Sequence, residues 1–583
     1  MSITSARNFI EKSGCGVITA VLLAAIMGMS LASGQCNRAQ QAEPTDQSQG
    51  PVVVKVGDMS ITAGALDAIA QDDLRRREEQ MAAQLQGKAF DGFNSLQKAQ
   101  FFRDVTGTTI DGAVTIQMAK DKGIQLEDSA LLDKFMGEVT SQISQLRNQL
   151  TQSGQLPANA TEEQYLAKFK ELTGGKTPEE LVSYNRTRLA EQLKDPTLSI
   201  PLKGQGAQML WLDKEEAGTK VSDAELDTIF DTVQLKSIVL NQAPRQNRTP
   251  DAEKILAEIK SGKISFEDAM DKYSEKALPK DKKKHSETTD MLAWQFLLTD
   301  PNYGVVKNLK PGEVSDVIKG VDGPIIYKMI SKKTDNEPKD FATNKEFYRT
   351  NHIKFLANVK FYRELKDARD KMAKFSDEGV HALYRVYILE RDPNLEQDFL
   401  AIVEDAAKIP ESNRSATIAR LLAGNHVWRS LQGSAKTKFE DTNYIPALVN
   451  FLAVFGPNPN LNITLVNFYA ARKDAKAGEQ LLAASIANSS LSDAGKAMHD
   501  QIQTKLKELQ ASGVIKSEIA AQITANLAKW SNDRKAADEA AAARAAQDAQ
   551  DRARSEAAMK KEKEAASKTP SKPSSESLLK QPR

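Results

Sequence analysis

The sequence predicts a mainly α protein with one small α+β module and a helical C-terminal domain, and three observations carry that reading. Apolar residues recur at spacings of three and four over long stretches, as at Phe135, Val139, Ile143, Leu146 and Leu150, which puts them on one helix face. Between Gln234 and about Lys333 the pattern changes to a strand, two helices, a loop and a closing strand, the order of a small α+β unit. Before all of this, the run from Cys15 to Ser33 contains no charged residue.

A chain of 583 residues is too long for one ordinary core, so roughly two to four domains are expected. Its formal net charge of +1 argues against a nucleic-acid partner, because phosphate binding needs a concentrated basic surface.

At about 1.5 Å per residue, the stretch 15–33 reaches the thickness of a bilayer core and reads as a transmembrane helix. Arg7 and Lys12 precede it and the next cation is Arg38, so residues 1–14 are expected inside and the remainder outside. A cleaved signal peptide ending near Ala32-Ser33-Gly34 is the other reading, and the length of the run favours the anchor. Cys15 and Cys36 flank the run, so no disulfide framework supports the chain beyond them.

Residues 34–50 are polar and read as a tether. In VVVKVGDMSIT, two short strands flank Gly57-Asp58, a hairpin that must pack on the helices after it. These helices fill the region 51–233, with Ser222 capping the last of them and Glu225 three residues on. In the region 234–335, LKSIVL is the first strand and DAEKILAEIKSG a helix stopped by Gly262. Ser265 caps a second helix, the basic loop KDKKKHSETTD comes next, and PIIYKMI closes the unit. A helical domain is expected over 336–530, where two stretches resemble helix pairs of a repeat without a fixed period. Residues 531–583 read as a charged Ala-rich helix and a disordered Ser/Pro/Lys-rich tail.

The familiar catalytic signatures are missing. His285, His352, His381, His426 and His499 are scattered, with no second ligand at metal spacing, so neither a metal nor a cofactor is implied. Gly174-Gly175-Lys176-Thr177 resembles the end of a phosphate-binding loop, but Lys170 stands where that motif needs glycine, and a turn between helices is the better reading.

The order of anchor, hairpin, helical lobe, capped helix and α+β unit resembles the SurA/PpiD group of periplasmic folding factors, over roughly residues 50–335. Within the unit, LKSIVL, KSGKISFEDAMDKYSE, Asp290 to Trp294, Leu309 to Ser315, and Gly323 to Ile326 are similar to segments of the parvulin-type peptidyl-prolyl isomerases. The resemblance implies a chaperone domain at 51–233 and a parvulin-like module at 234–335. It also implies a single-pass protein of the cell inner membrane whose bulk is periplasmic, with unfolded or exported polypeptides as partners. The module departs from the family's polar positions: its two histidines fall on Ser237 and Ile325, and its Cys or Asp falls near Lys276. Efficient catalysis is therefore not expected. Met270, Trp294, Phe296 and Tyr303 are the candidate proline pocket, and the module's core is the competing assignment for the same four residues. Binding by Met- and aromatic-bearing helical lobes is the preferred reading. An active isomerase, and a scaffold subunit binding an envelope protein through 336–530, are the alternatives.

Overall fold

The computed structural model describes residues 50–84, 92–173, 175–195, 199–241, 247–275, 289–292, 306, 309–319, 323–334, 337–391, 398–488 and 490–567. The run 15–33, both cysteines and the basic loop ahead of Thr289 lie outside the described residues. Among the described residues no helix is long and apolar enough to cross a membrane. They fall into two compact units, one within Met1–Gln80 and Phe93–Gly456, the other within Met81–Gly92 and Pro457–Arg583.

The first unit opens with the hairpin. Strands β1 (Val52–Val56) and β2 (Met59–Thr62) pair antiparallel around Gly57, whose φ of 55° is the left-handed conformation such a tight turn needs. Helices α1 (Ala63–Gln84), α2 (Ser95–Asp121), α3 (Asp128–Gln152), α4 (Glu162–Leu172), α5 (Pro178–Lys194) and α6 (Ser199–Gly218) come next, with a single turn, α7 (Asp223–Leu226), after them. Their boundaries obey local chemistry. Asn94, Thr161 and Thr177 each accept from the backbone N–H three residues on, and Gln97, Gln164 and Glu180 return the bond. The Gly175–Lys176 stretch is a turn between α4 and α5, with Gly175 at φ 93°.

The hairpin does not pack on these helices alone. Helix α10 (Lys345–Met372) returns from beyond the module, and strand β7 (Ala373–Phe375) at its end pairs antiparallel with β1, giving a three-stranded sheet in the order β2-β1-β7. The core joins Val54, Val56 and Ile61 to Ile110 and Val114 of α2, Trp211 of α6, and Phe361, Leu365 and Ala368 of α10. Tyr384 and Tyr387 of α11 (Glu378–Arg391) complete it. The sequence pattern places residues 345–391 in a separate helical domain, and instead they close the lobe begun at Val52. The i, i+4, i+7 spacing of Phe361, Leu365 and Ala368 marks an apolar face but carries no information on what covers it. A second core, with Leu131, Phe135, Leu146, Leu150, Tyr165 and Phe169, lies among α3, α4 and α5.

Where α6 and α10 flank α2, Glu215 accepts from Lys122 at 2.7 Å and from Lys360 at 2.5 Å. Burial raises its carboxyl, but the two lysines outweigh burial and hold it below the usual range. A depressed carboxyl contributes stability that is present above its unfolded value and lost as pH falls through the folded one. Glu215→Gln should therefore be less stable than the parent at pH 7, by about 1 kcal/mol, and the gap should narrow as pH falls below the ordinary glutamate range in paired denaturant titrations.

The module is inserted between α7 and α10. Its sheet has the order β4-β3-β6-β5, from β3 (Thr232–Val239), β4 (Thr289–Leu292), β5 (Ile318–Lys319) and β6 (Pro324–Lys333). Helices α8 (Thr249–Lys260) and α9 (Phe266–Tyr273) cover one face, burying Ile238, Leu240, Ile255, Phe266 and Ile326. Ser265 caps α9, and Gly262 comes after α8 at φ 73°, as their sequence signals require. The insertion is rooted by Phe230, Phe341 and Tyr348, which meet edge to face at 5.3–5.5 Å. Lys345 pairs with Asp227 there, and Arg349 with Asp223.

After α11 come α12 (Phe399–Ala406), α13 (Arg414–Ser430), α14 (Gly433–Phe439), a π-helical turn at Glu440–Tyr444, and α15 (Ile445–Phe455). The second unit holds α16 (Pro459–Ala471), α17 (Lys476–Ala487), α18 (Asp493–Ala511) and α19 (Ser517–Ser567). Helix α19 is continuous through residue 531, where the composition suggests a separate charged helix. No Gly or Pro interrupts it, and its buried face simply ends at Trp530, whose indole donates to the Ser490 carbonyl at 2.7 Å.

Candidate functional site

Two places in the first unit concern function: an apolar groove in the helical lobe and the sheet face of the module.

The groove is made by helix starts. Asp377, just before α11, accepts from the Val380 N–H at 2.9 Å, and Asn413 caps α13 through the Ala416 N–H at 2.9 Å. The Asn413 amide also donates to Asp377 at 3.3 Å, tying the two starts together. That approach needs Gly379, because a Cβ there would sit 2.2 Å from Asn413 Oδ1. Helices α1 and α2 supply the opposite wall. Between them opens a cavity of about 440 Å³. Val53, Leu66, Val380 and Ile418 are buried at its base, while Leu74, Phe101, Phe102 and Phe455 stand half-buried along its walls.

The charged residues of the lining are Asp67, Lys98, Asp377 and Arg414. Arg414 lies 3.7 Å from Asp67 across the opening and 5.5 Å from the centre of the Phe455 ring. Arg77 stacks over Phe101 at 4.7 Å. A mostly apolar slot with separated charges suits side chains of an extended or unfolded segment, and flanking cations and anions suit its backbone and polar groups. The described lining contains neither histidine nor cysteine.

In the module, β3 and β6 pair with Ser237 opposite Tyr327 and Val239 opposite Ile325. Side chains alternate along a strand, so Ser237, Ile325 and Tyr327 share one face. The structure thus brings the two degenerate positions together, on the side that carries Leu235 and Met329. The segment Leu309–Ser315 runs along β6: Gly312 N–H donates to the Met329 carbonyl at 2.7 Å, and the Ser315 hydroxyl accepts from the Tyr327 N–H at 2.9 Å. Met270 goes to the other side. It is 3% exposed among Ile255, Phe266 and Ile326 under the helices, so it does not reach the face of Ser237 and Ile325. Lys276, Trp294, Phe296 and Tyr303 lie outside the described residues.

The module's resolved electrostatics also belong to the helix side. Glu267 of α9 accepts from Lys328 at 2.9 Å and lies 3.2 Å from Lys236, its cross-strand neighbour. Burial raises the Glu267 carboxyl, and these lysines pull it below the usual range. This triad joins helix to sheet and does not face Ser237.

The groove was not legible in the sequence, because its lining comes from six separated segments, and the only local hints were the capping residues Asp377 and Asn413.

No protein-family model and no curated protein matches this chain. Several solved structures are similar to it. The peptidylprolyl isomerase PrsA of Bacillus anthracis is 18% identical, over 45% of this chain and 94% of that one, with a TM-score of 0.20. The foldase protein PrsA of Streptococcus pneumoniae is 16% identical over 53% and 94%, also at 0.20. A SurA-like chaperone structure from Campylobacter jejuni is 14% identical over 56% and 99%, at 0.16. Likenesses at these scores leave the function to be argued from the residues themselves.

Proposed function

We propose that this chain is a folding factor that binds unfolded or newly exported polypeptides. In this reading residues 15–33 anchor it in a membrane, the bulk is extracytoplasmic, and the module is a parvulin-like unit with weak or no isomerase activity. The observation that carries binding is the open groove between α1, α2, α11 and α13, mostly apolar in its lining, with Leu74, Phe101 and Phe455 accessible. The module reading rests on the segments that resemble parvulins and on Ser237 and Ile325, which share a sheet face but supply no imidazole there.

The full chain should suppress light scattering from a heat-unfolding client at about equimolar ratio. Leu74→Glu and Phe101→Glu place a carboxylate against the apolar walls, at a desolvation cost of about 1–3 kcal/mol for any occupant. Each should halve the suppression or worse while the far-UV circular dichroism is unchanged. Parental suppression in both folded variants would remove the groove from the mechanism. In a proline-limited refolding assay, the slow phase of tens of seconds should keep its rate in excess protein. A clear acceleration would show a working isomerase.

A further inference from the structure

We infer that the solvent face of α10 is a second docking surface, one that selects unfolded segments carrying carboxylates beside aromatic or aliphatic side chains; this rests on the folding-factor reading above. Phe347 and Tyr362 are 62% and 59% exposed, and they are the two exposed aromatic side chains among the described residues. Both lie on this helix. At 3.6 residues per turn Phe355 and Tyr362 lie about 80° and about 60° around the helix from Phe347, so the three rings share one side. Phe355 is half-buried within it.

The polar residues of the stripe have one sign. Asn351 and Asn358 fill the turns between the rings, and Lys354 and Lys366 are its ionic groups. Between Phe347 and Lys366 the stripe holds no carboxylate. Glu346 and Glu364 lie off it and already pair with Arg349 and Lys122. Lys354 and Lys366 make no ion pair among the described residues. Elsewhere on the helix, Ile353 and Leu356 pack at the root of the module, and Phe361 and Leu365 in the lobe core. An exposed aromatic row costs solubility and is uncommon unless something covers it. Here its charge complement is acidic.

The distance fits such an occupant. From Phe347 to Tyr362 the helix rises about 22 Å, which an extended segment of about seven residues spans. Aromatic contacts would supply the affinity, and lysines the choice between acidic and basic segments.

The test uses the full chain and labelled synthetic peptides of about ten residues, alternating Phe or Leu with Glu, Gln or Lys, read by fluorescence anisotropy. The Glu peptide should bind about tenfold more tightly than the Lys peptide at low salt, and the gap should shrink at about 1 M NaCl. The double variant Phe347→Ala/Tyr362→Ala should weaken the Glu peptide about tenfold, with the thermal midpoint unchanged because both rings are exposed. Lys354→Glu/Lys366→Glu should reverse the preference. If the parent chain binds peptide and suppresses aggregation but neither variant changes affinity or preference, this surface is refuted while the folding-factor reading stands. If the parent chain does neither, both fall. Sedimentation showing a dimer that the aromatic variant dissociates would make the stripe a self-interface and overturn the proposal.

Discussion

Arg369→Ala is expected to destabilise the helical lobe by about 3 kcal/mol or more, because it strands a buried carboxylate. Arg369 of α10 donates from Nε to Asp111 Oδ1 at 2.8 Å and from Nη2 to Oδ2 at 2.5 Å, a two-pronged contact with α2. The Tyr384 hydroxyl of α11 donates to the same Oδ1 at 2.6 Å. The arginine and aspartate side chains are only 16% and 14% exposed. Burial lowers the guanidinium's pKa, but Asp111 more than offsets it and holds the group above its ordinary value. Burial and Asp111 both push the Tyr384 phenol up, which keeps it a neutral donor. Removing Arg369 leaves a poorly solvated carboxylate with one partner, and that orphan, more than the lost attraction, sets the cost. The decisive comparison is the double variant Asp111→Leu/Arg369→Met, which removes both charges and should recover to within about 1–2 kcal/mol of the parent in denaturant titrations. A cost below about 1 kcal/mol for Arg369→Ala would mean that the pair behaves as an ordinary surface contact.

Gly204→Ala should also destabilise, by about 2–3 kcal/mol, although alanine is the better helix former by about 1 kcal/mol. A Cβ at position 204 of α6 would stand 2.3 Å from the Gly112 Cα of α2, and 2.9 Å from the Gly112 carbonyl carbon and oxygen. All three are backbone atoms, so no rotamer change relieves the clash and the two helices must separate. Gly112→Ala should cost less, because its Cβ meets the Ile200 carbonyl oxygen at 3.1 Å and nothing closer. Gly137, inside α3 with nothing within 4 Å of a built Cβ, is the control. Gly137→Ala should stabilise by about 0.5–1 kcal/mol. Thermal unfolding of the three variants checks the order, and stabilisation by Gly204→Ala would contradict the close crossing.

Several features were legible because their causes are local. The hairpin at Gly57, the caps at Ser222 and Ser265, the stop at Gly262 and the strand-helix-helix-strand order of the module all come from turn chemistry and apolar period within a few residues. The stripe Phe135 to Leu150 is buried as its spacing required. Met270 marks the limit of such reading. A methionine on an amphipathic helix fits a pocket or a core, and only the pairing of β3 with β6 put it across the sheet from Ser237 and Ile325.

Local sequence signals marked the hairpin at Gly57, the helix starts at Ser222 and Ser265 and the apolar face from Phe135 to Leu150, and showed that the module lacks histidine at Ser237 and Ile325. The tertiary structure decided that residues 345–391 return to close the lobe, that β7 pairs with β1, and that six separated segments converge on one groove. The physical reason is that burial and hydrogen bonding reward any complementary partner. An amphipathic face states that it must be covered, while the covering element is chosen by the packing of the whole chain.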